Sequence, residues 1–146
     1  MDEKRYLIKY CGKIMRKTQT YLDIVLRKYQ LSSGGYSYLF ELEKQEGISL
    51  EQISRTLGVD KAMSTRTVQK LAELGFITKI PDQEDSRAFR LYLTEKAHAC
   101  LPAVREEISN WIEQITDGLS ENEKDMAVEL LKKIAGNAER KGMNQK

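Results

Sequence analysis

The chain has 146 residues, of which 40% are hydrophobic and 32% charged, and its formal net charge is +2 at pH 7. This length suits one domain, or one domain with extended ends, and the apolar fraction can cover a core, which excludes disordered and collagen-like proteins. No window approaches the roughly 18 consecutive apolar residues of a membrane span, and the N-terminus lacks the apolar segment of a signal peptide. We therefore expect a cytoplasmic protein with no membrane partner.

Soft metal ligands and candidate catalytic bases are scarce, since the chain has two cysteines and one histidine. A structural zinc site usually takes a set of about four such ligands, so we expect no metal and no cofactor. The single histidine, His98, lies in a helical run without an adjacent nucleophile motif, which favours a structural role. The chain is therefore predicted not to be an enzyme.

The first predicted element is a long amphipathic helix from about residue 3 to residue 31. Its stripe repeats at spacings of three and four and consists of Leu7, Cys11, Ile14, Thr18, Tyr21, Val25 and Tyr29. A helix of about 28 residues extends ~40 Å, which is longer than a chain of this size needs for its own packing. We therefore expect part of the apolar face to meet another chain.

Turn and capping residues divide the next part of the chain. Residues 32–35, two serines and two glycines, end the first helix, and the helix that follows is predicted to end near Gly47. The sequence Ser-Leu-Glu-Gln at 49–52 is a capping box that begins a third helix. Gly58 ends that helix, and Asp60 is suited to cap a fourth.

Beyond the fourth helix, at about 61–74, the apolar period changes from helical to alternating. Residues 76–80 and 89–93 are β-prone, and the polar segment 81–87 joins them, which indicates an antiparallel hairpin with a long tip. Two helices around a glycine turn followed by a hairpin are typical of a winged helix-turn-helix, whose second helix enters the major groove of DNA. The predicted fold is mostly α with a small antiparallel β wing.

The C-terminal part is predicted to form two more helices. Thr94 is suited to cap the first of them, in which Pro102 predicts a kink or a restart. The capping box at 120–123 begins the last helix, whose apolar side carries Met126, Leu130, Leu131, Ile134 and Ala138.

Three functional segments follow from these elements. They are an N-terminal dimerisation helix at 1–31, a winged helix-turn-helix DNA-binding domain at 32–97 and C-terminal dimerisation helices at 98–146. A two-fold dimer engages two DNA half-sites about 34–36 Å apart, which a single recognition helix cannot do. The surplus apolar length of the first and last helices supplies the contacts for such a dimer.

The helix at 61–74 is predicted to read DNA with the side opposite Val68, Leu71 and Leu74. The predicted contacts from this helix are Lys61, Ala62, Ser64, Thr65, Arg66, Gln69 and Lys70. Arg66 can offer two donors to the edge of a guanine. Met63 has two interpretations, a contact with a thymine methyl group or the more usual place of a methionine in the core.

The hairpin supplies the second set of predicted DNA contacts, which are Asp85, Arg87 and Arg90. Arg87 at the tip is suited to enter a minor groove or to lie along the phosphates. Asp85 is expected to orient the Arg87 guanidinium by a charge-assisted hydrogen bond. Without DNA, the same two side chains form only a surface ion pair.

The segment at 48–97 resembles the winged-helix core of the MarR-type transcriptional regulators, and the long flanking helices resemble that family too. The matching motifs are the turn Leu57-Gly58-Val59, the Leu-x-x-x-Gly-x-Ile pattern at 71–77, and the wing pair Asp85 and Arg87 before Leu93-Thr94. Two positions differ, because the family usually has glycine at Ala97 and a branched apolar residue at Ser64.

This resemblance implies a homodimer built from the N- and C-terminal helices that binds an inverted repeat in double-stranded operator DNA as a repressor. It also implies release by a small effector, often aromatic or phenolic, or by an oxidant. Cys11 is similar in location to a peroxide-sensing cysteine of some family members, although buried free cysteines are common. The candidates to line an effector pocket, or simply to pack, are Tyr10, Tyr21, Tyr29, Tyr36 and Tyr38.

A second interpretation stays open, a winged-helix protein–protein interaction module without a DNA function. The two interpretations differ in duplex binding, because DNA affinity falls steeply with added salt.

Overall fold

The computed structural model of the chain describes residues 3–143, the last by its backbone alone. It forms two compact units, Met1–Trp111 and Ile112–Lys146. The elements are α1 (Tyr6–Val25), α2 (Tyr36–Lys44), β1 (Ile48–Ser49), α3 (Leu50–Leu57), α4 (Lys61–Glu73), β2 (Ile77–Pro81), β3 (Phe89–Leu93), α5 (Glu95–Ile115) and α6 (Glu121–Met143). The division into dimerisation and DNA-binding segments stays a prediction, and its first two and last three residues lie outside the described part.

The first helix is shorter than predicted. The helix α1 has 20 residues, or about 30 Å, and short 3-10 turns lie before it at Glu3–Arg5 and after it at Arg27–Tyr29. The chain then leaves the right-handed region at Gln30, whose φ is 64°. The prediction of one helix to residue 31 is wrong because this left-handed residue turns the backbone toward α2.

The sheet contains one strand that the sequence pattern did not reveal. The helix α2 ends at Lys44, and Gly47 does not cap it but donates its N–H to the carbonyl of Leu91 at 2.8 Å. This bond leads into β1, and the three antiparallel strands lie in the order β1-β3-β2. The wing is therefore the predicted hairpin of β2 and β3, with β1 added to its inner edge.

The helix-turn-helix begins and ends where its capping residues predict. The Ser49 hydroxyl accepts the N–H of Gln52 at 3.1 Å, and the Asp60 carboxylate accepts the N–H of Met63 at 2.8 Å. Between these caps, Gly58 ends α3 with a φ of 69°. Each bond satisfies a backbone group that the first or last turn of a helix leaves unpaired.

The C-terminal helices agree with the prediction except at one proline. The Thr94 hydroxyl accepts the N–H of Ala97 at 3.2 Å at the start of α5, and Ser120 and Glu123 form both bonds of the capping box at α6. The helix α5 runs through Pro102 without a restart. The prediction of a restart at Pro102 is therefore wrong, because the helix continues although proline lacks one backbone N–H donor.

The helix α4 lies on the core of the first unit through a polar contact. Val68 and Leu71 are buried on its inner side, and Ser64, with 0% of its surface exposed, lies one turn before them. The hydroxyls of Ser64 and of Tyr38 on α2 are 2.9 Å apart. Because hydrogen bonds have a defined direction, this bond fixes how α4 is rotated about its own axis.

Removing one hydroxyl of this pair should destabilise the protein. We expect Ser64→Ala to lower the free energy of unfolding by about 1–3 kcal/mol, because the Tyr38 hydroxyl is then buried without a partner. The double variant with Tyr38→Phe should cost clearly less than the sum of the two single variants, which urea denaturation at neutral pH measures. Strictly additive losses would mean that the two hydroxyls do not interact.

Candidate nucleic-acid interface

The outer side of α4 forms a polar surface that carries three cations. With a turn of about 100° per residue, Ala62, Arg66 and Gln69 lie opposite the buried Ser64, Val68 and Leu71. The sequence-predicted residues of this helix that the structure leaves exposed are Lys61, Ala62, Thr65, Arg66, Gln69 and Lys70. They are accessible to a ligand as large as a DNA duplex.

Two residues of this helix differ from their sequence interpretation. Ser64 is completely buried and bonded to Tyr38, so its prediction as a direct DNA contact is corrected to a role in seating the helix. Met63 is 48% exposed, so a place in the core is wrong. Its thioether chain is free to touch an apolar group such as a thymine methyl.

A hydrogen bond joins this helix to the wing. Lys79 on β2 donates from Nζ to the Oε1 of Gln69 at 2.8 Å, and the Nε2 of Gln69 donates to the Oε1 of Glu73 at 3.2 Å. The surface of α4 and the surface of β2 are therefore continuous. The sequence analysis did not identify Lys79 as part of this surface. Alternating apolar residues predict a strand, but they do not show which side chain of that strand contacts α4.

The wing tip is ordered by its own acidic residues. The Asp85 carboxylate accepts the backbone N–H of Arg87 at 3.0 Å, which corrects the prediction that it orients the guanidinium. The backbone carbonyl of Asp85 also accepts the N–H of Ala88, at 3.0 Å. The Arg87 side chain is left exposed at the tip, where it is free to bind an anion.

Arg90 and Asp82 tie the two strands of the wing together. The Nε of Arg90 is 3.1 Å from the Oδ2 of Asp82, and its Nη1 donates to the carbonyl of Gly47 at 2.9 Å. The other oxygen of Asp82 accepts the N–H of Glu84 at 2.8 Å, and this bond, with the charge of Arg90, holds the pKa of Asp82 below its ordinary value. Arg90 thus has a structural role, and its contact with DNA stays a prediction.

A cavity of about 300 Å³ lies on the other side of α4 from the wing. Its lining comprises Gln30, Leu31, Ser32, Gly34, Gly35, Arg66, Thr67, Lys70, Leu71 and Leu74. The leucines make an apolar wall, and Arg66 and Lys70 bring two positive charges to it. Within residues 3–143, neither of these two side chains forms a hydrogen bond or an ion pair. The cavity and the exposed side of α4 therefore share the same two cations.

The tyrosines do not line this cavity. Tyr21 stacks on Trp111 with ring centroids 4.5 Å apart, Tyr36 packs edge-on against Phe40 at 5.8 Å, and Tyr38 binds Ser64. Packing, the simpler of the two interpretations, is confirmed for these three residues.

The remaining candidate side chains lie apart from the exposed side of α4. The thiol of Cys11 is free and half-buried on α1, and its role as an oxidant sensor stays a prediction. The Nε2 of His98 is 3.7 Å from the Oε2 of Glu46, which is longer than a hydrogen bond. The other oxygen of Glu46 accepts the N–H of Leu93 at 2.7 Å, so this carboxylate serves the sheet. None of the helices within residues 3–143 is both long and apolar enough to span a bilayer.

Comparisons with known proteins agree with this geometry. The model of the MarR family matches residues 31–89. The HTH-type transcriptional regulator BilQ of Clostridioides difficile (strain CD3) is 34% identical over 75% of this chain and 74% of the relative, and the transcriptional repressor MprA of Escherichia coli (strain K12) is 28% identical over 88% and 74%.

Solved structures are similar over nearly the whole chain. A MarR protein from Peptoclostridium difficile has a TM-score of 0.91 and 29% identity, with 97% of this chain and 92% of the other covered. A putative MarR family regulator from Listeria monocytogenes, solved in complex with a 26mer DNA, has a TM-score of 0.85 and 25% identity, with 92% and 89% covered. The winged helix-turn-helix class is thereby confirmed.

The wing tip should lose its order at low pH, because its bonds need an ionised Asp82. The folded-state pKa is lowered from the ordinary 3.8, so the contribution of Asp82 is complete above that value and is lost as the pH falls through the lower folded value. We expect the Glu84 amide resonance to titrate with a midpoint below 3.8 in NMR spectra. Asp82→Asn should remove this titration, and a midpoint at or above 3.8 would contradict the assignment.

Proposed function

The chain belongs to the MarR family of transcriptional regulators, and we propose that it acts as a homodimeric repressor that binds an inverted repeat in double-stranded DNA. Each α4 enters a major groove, and each wing tip lies beside it with Arg87 along the flanking phosphates. The Listeria relative was solved with DNA bound, which supports DNA binding by this chain. Such a protein works beside the chromosome, so we propose the cytoplasm as its location.

The observation that carries this proposal is the continuous polar surface formed by α4 and the wing. The bond from Lys79 to Gln69 joins the two elements, and Arg66 and Arg87 are exposed on them. The carboxylates of Asp82 and Asp85 bind local backbone amides, which reduces their repulsion of phosphate. A guanidinium suits both base edges and phosphates.

Exposed apolar side chains on two helices support the dimer. On α1 these are Leu7, Ile8, Tyr10, Ile14, Met15 and Ile24, and on α6 they are Met126, Val128, Leu130, Leu131 and Ile134. Rows of this size on a single chain are typical of surfaces that a partner covers. A two-fold pair of chains covers identical surfaces with each other and presents two copies of α4 to the DNA.

Selection from a random duplex library with the full chain tests the proposal. A dimeric regulator should recover an inverted repeat whose half-sites have centres about 10–10.5 base pairs apart, or a multiple of that distance. A protein–protein interaction module should recover no motif, and its weak duplex binding should lack a steep dependence on salt.

Two arginines are expected to affect DNA binding in different ways. Arg66→Ala should weaken operator binding by ~1–3 kcal/mol and relax the preference at one base pair, because Arg66 is assigned to a base edge. Arg87→Ala should weaken all duplexes alike and lower the salt slope by about one, because Arg87 is assigned to phosphate. Titrations at several salt concentrations measure both effects.

Arg140→Ala is the matched control, since it removes the same charge from α6. This variant should leave both the base preference and the salt slope unchanged. Equal behaviour of the three variants would contradict the assignment of Arg66 and Arg87.

We further propose that a small amphipathic anion is the effector and that the cavity beside α4 binds it. A carboxylate or phenolate suits the Arg66 guanidinium and the Lys70 ammonium, and its apolar body suits the leucine wall. Arg66 then binds either the effector or the DNA. This competition gives a direct physical reason for release.

A pair of probe compounds tests the effector. We expect 2-naphthoate to raise the Kd for the operator, and the uncharged 2-naphthamide to leave it unchanged, in fluorescence anisotropy titrations. Gly34→Leu should abolish the response and keep operator binding, since a Cβ at Gly34 meets only the Ser32 hydroxyl at 3.9 Å while a longer side chain fills the cavity. An equal response to both compounds, or an undiminished response in Gly34→Leu, would contradict this site.

A further inference from the structure

Gln69 is the outward-facing residue of α4 whose side chain is held at both ends by charged groups. Its Oε1 accepts from the Lys79 ammonium at 2.8 Å, and its Nε2 donates to the Glu73 carboxylate at 3.2 Å. Lys79 itself lies 5.2 Å from the ring centroid of Phe89 on the neighbouring strand. Two elements of the fold, α4 and the wing, thus fix one amide group.

The charges also fix which way the amide faces. A flipped Gln69 would place its NH₂ group against the Lys79 ammonium and its carbonyl against the Glu73 carboxylate. Donor would then face donor and acceptor would face acceptor, so neither hydrogen bond would form. The amide therefore has one orientation in the free protein, although it lies on the surface.

This orientation leaves a definite pair of groups available. An amide has two N–H donors and a carbonyl with two lone pairs. One N–H is used by Glu73 and one lone pair by Lys79, so one donor and one acceptor are free. In the major groove, adenine presents N7 as an acceptor beside its N6 amino donor, which matches this pair, whereas guanine presents two acceptors.

We propose that Gln69 specifies an adenine in each half-site and that Lys79 and Glu73 are positioning residues that give it this specificity. The inference rests on the proposed function, because Gln69 reaches a base only if α4 enters the groove. Lys79 and Glu73 hold the Gln69 amide in its binding orientation before DNA arrives, so the side chain loses little rotational freedom when it contacts the base. Glu73 is an acidic residue on the outward side of α4. Because its carboxylate repels phosphate, the part of α4 that can approach the DNA backbone ends there.

Single base-pair replacements in the selected operator test this inference. With the wild-type chain, one symmetric A·T pair should show a preference of roughly 10-fold over G·C in Kd. Gln69→Ala should abolish the preference at that pair and leave the other pairs unchanged. Gln69→Glu should shift it toward cytosine, because a carboxylate held by Lys79 presents acceptors that suit the cytosine amino group.

The positioning residues are tested at the same base pair. Lys79→Met and Glu73→Ala should each reduce the adenine preference several-fold. Lys70→Met is the matched control, since Lys70 is a second lysine of the DNA-facing surface with no bond to Gln69. It should weaken binding to all duplexes and keep the adenine preference. All of these side chains are exposed, and circular dichroism checks that the variants fold.

The outcomes separate this inference from the proposed function. An undiminished preference in Lys79→Met and Glu73→Ala, or in Gln69→Ala, would overturn the inference while operator binding stands. Failure of the wild-type chain to select any sequence would overturn the proposed function and this inference with it. Loss of the adenine preference in Gln69→Ala, Lys79→Met and Glu73→Ala, with its retention in Lys70→Met, supports both.

Discussion

The hydroxyls of Tyr38 and Ser64, 2.9 Å apart in the core, join α2 to α4, the helix that we propose faces the DNA. Apolar packing of Val68 and Leu71 holds α4 on the core, but apolar contacts have little directional preference. The hydrogen bond adds a direction. A shift by one residue would rotate the outward side by about 100° and would replace Arg66 and Gln69 by other side chains.

Hydrogen bonds from Lys96 and Thr94 hold the C-terminal end of α4. The Lys96 ammonium donates to the carbonyl of Leu74 at 2.6 Å and to Gln30 at 2.7 Å, and the Thr94 hydroxyl donates to the carbonyl of Gly75 at 2.5 Å. These bonds bring together the last turn of α4, the left-handed turn after α1 and the start of α5. The wing, which starts directly after Gly75, therefore has a fixed position beside α4.

Much of this architecture could be predicted because its signals are local. The caps at Ser49, Asp60 and Thr94 each bond an amide three residues away, so the sequence carries the whole interaction. The rest depends on residues far apart in the chain. Three such contacts form only when α2, β1 and the hairpin pack together. They are the hydrogen bond of Ser64 to Tyr38, the two bonds of Arg90 and the bond of Lys79 to α4. A periodic pattern in the sequence does not show which elements pack together. The left-handed Gln30 is a similar case, since Lys96 binds its side chain from 66 residues away.

The central claim is that the outward side of α4 contacts DNA, and Met63 reports on it directly. Met63 is 48% exposed on α4 and should react with hydroxyl radicals, whereas Met15 on α1 and Met126 on α6 lie on the surfaces assigned to the dimer and serve as internal references that DNA does not reach. Oxidation rates measured by mass spectrometry, with and without a saturating duplex at low salt, compare them within one sample. The account predicts that DNA slows oxidation of Met63 several-fold and leaves Met15 and Met126 unchanged. An unchanged rate at Met63 in the bound protein would contradict it.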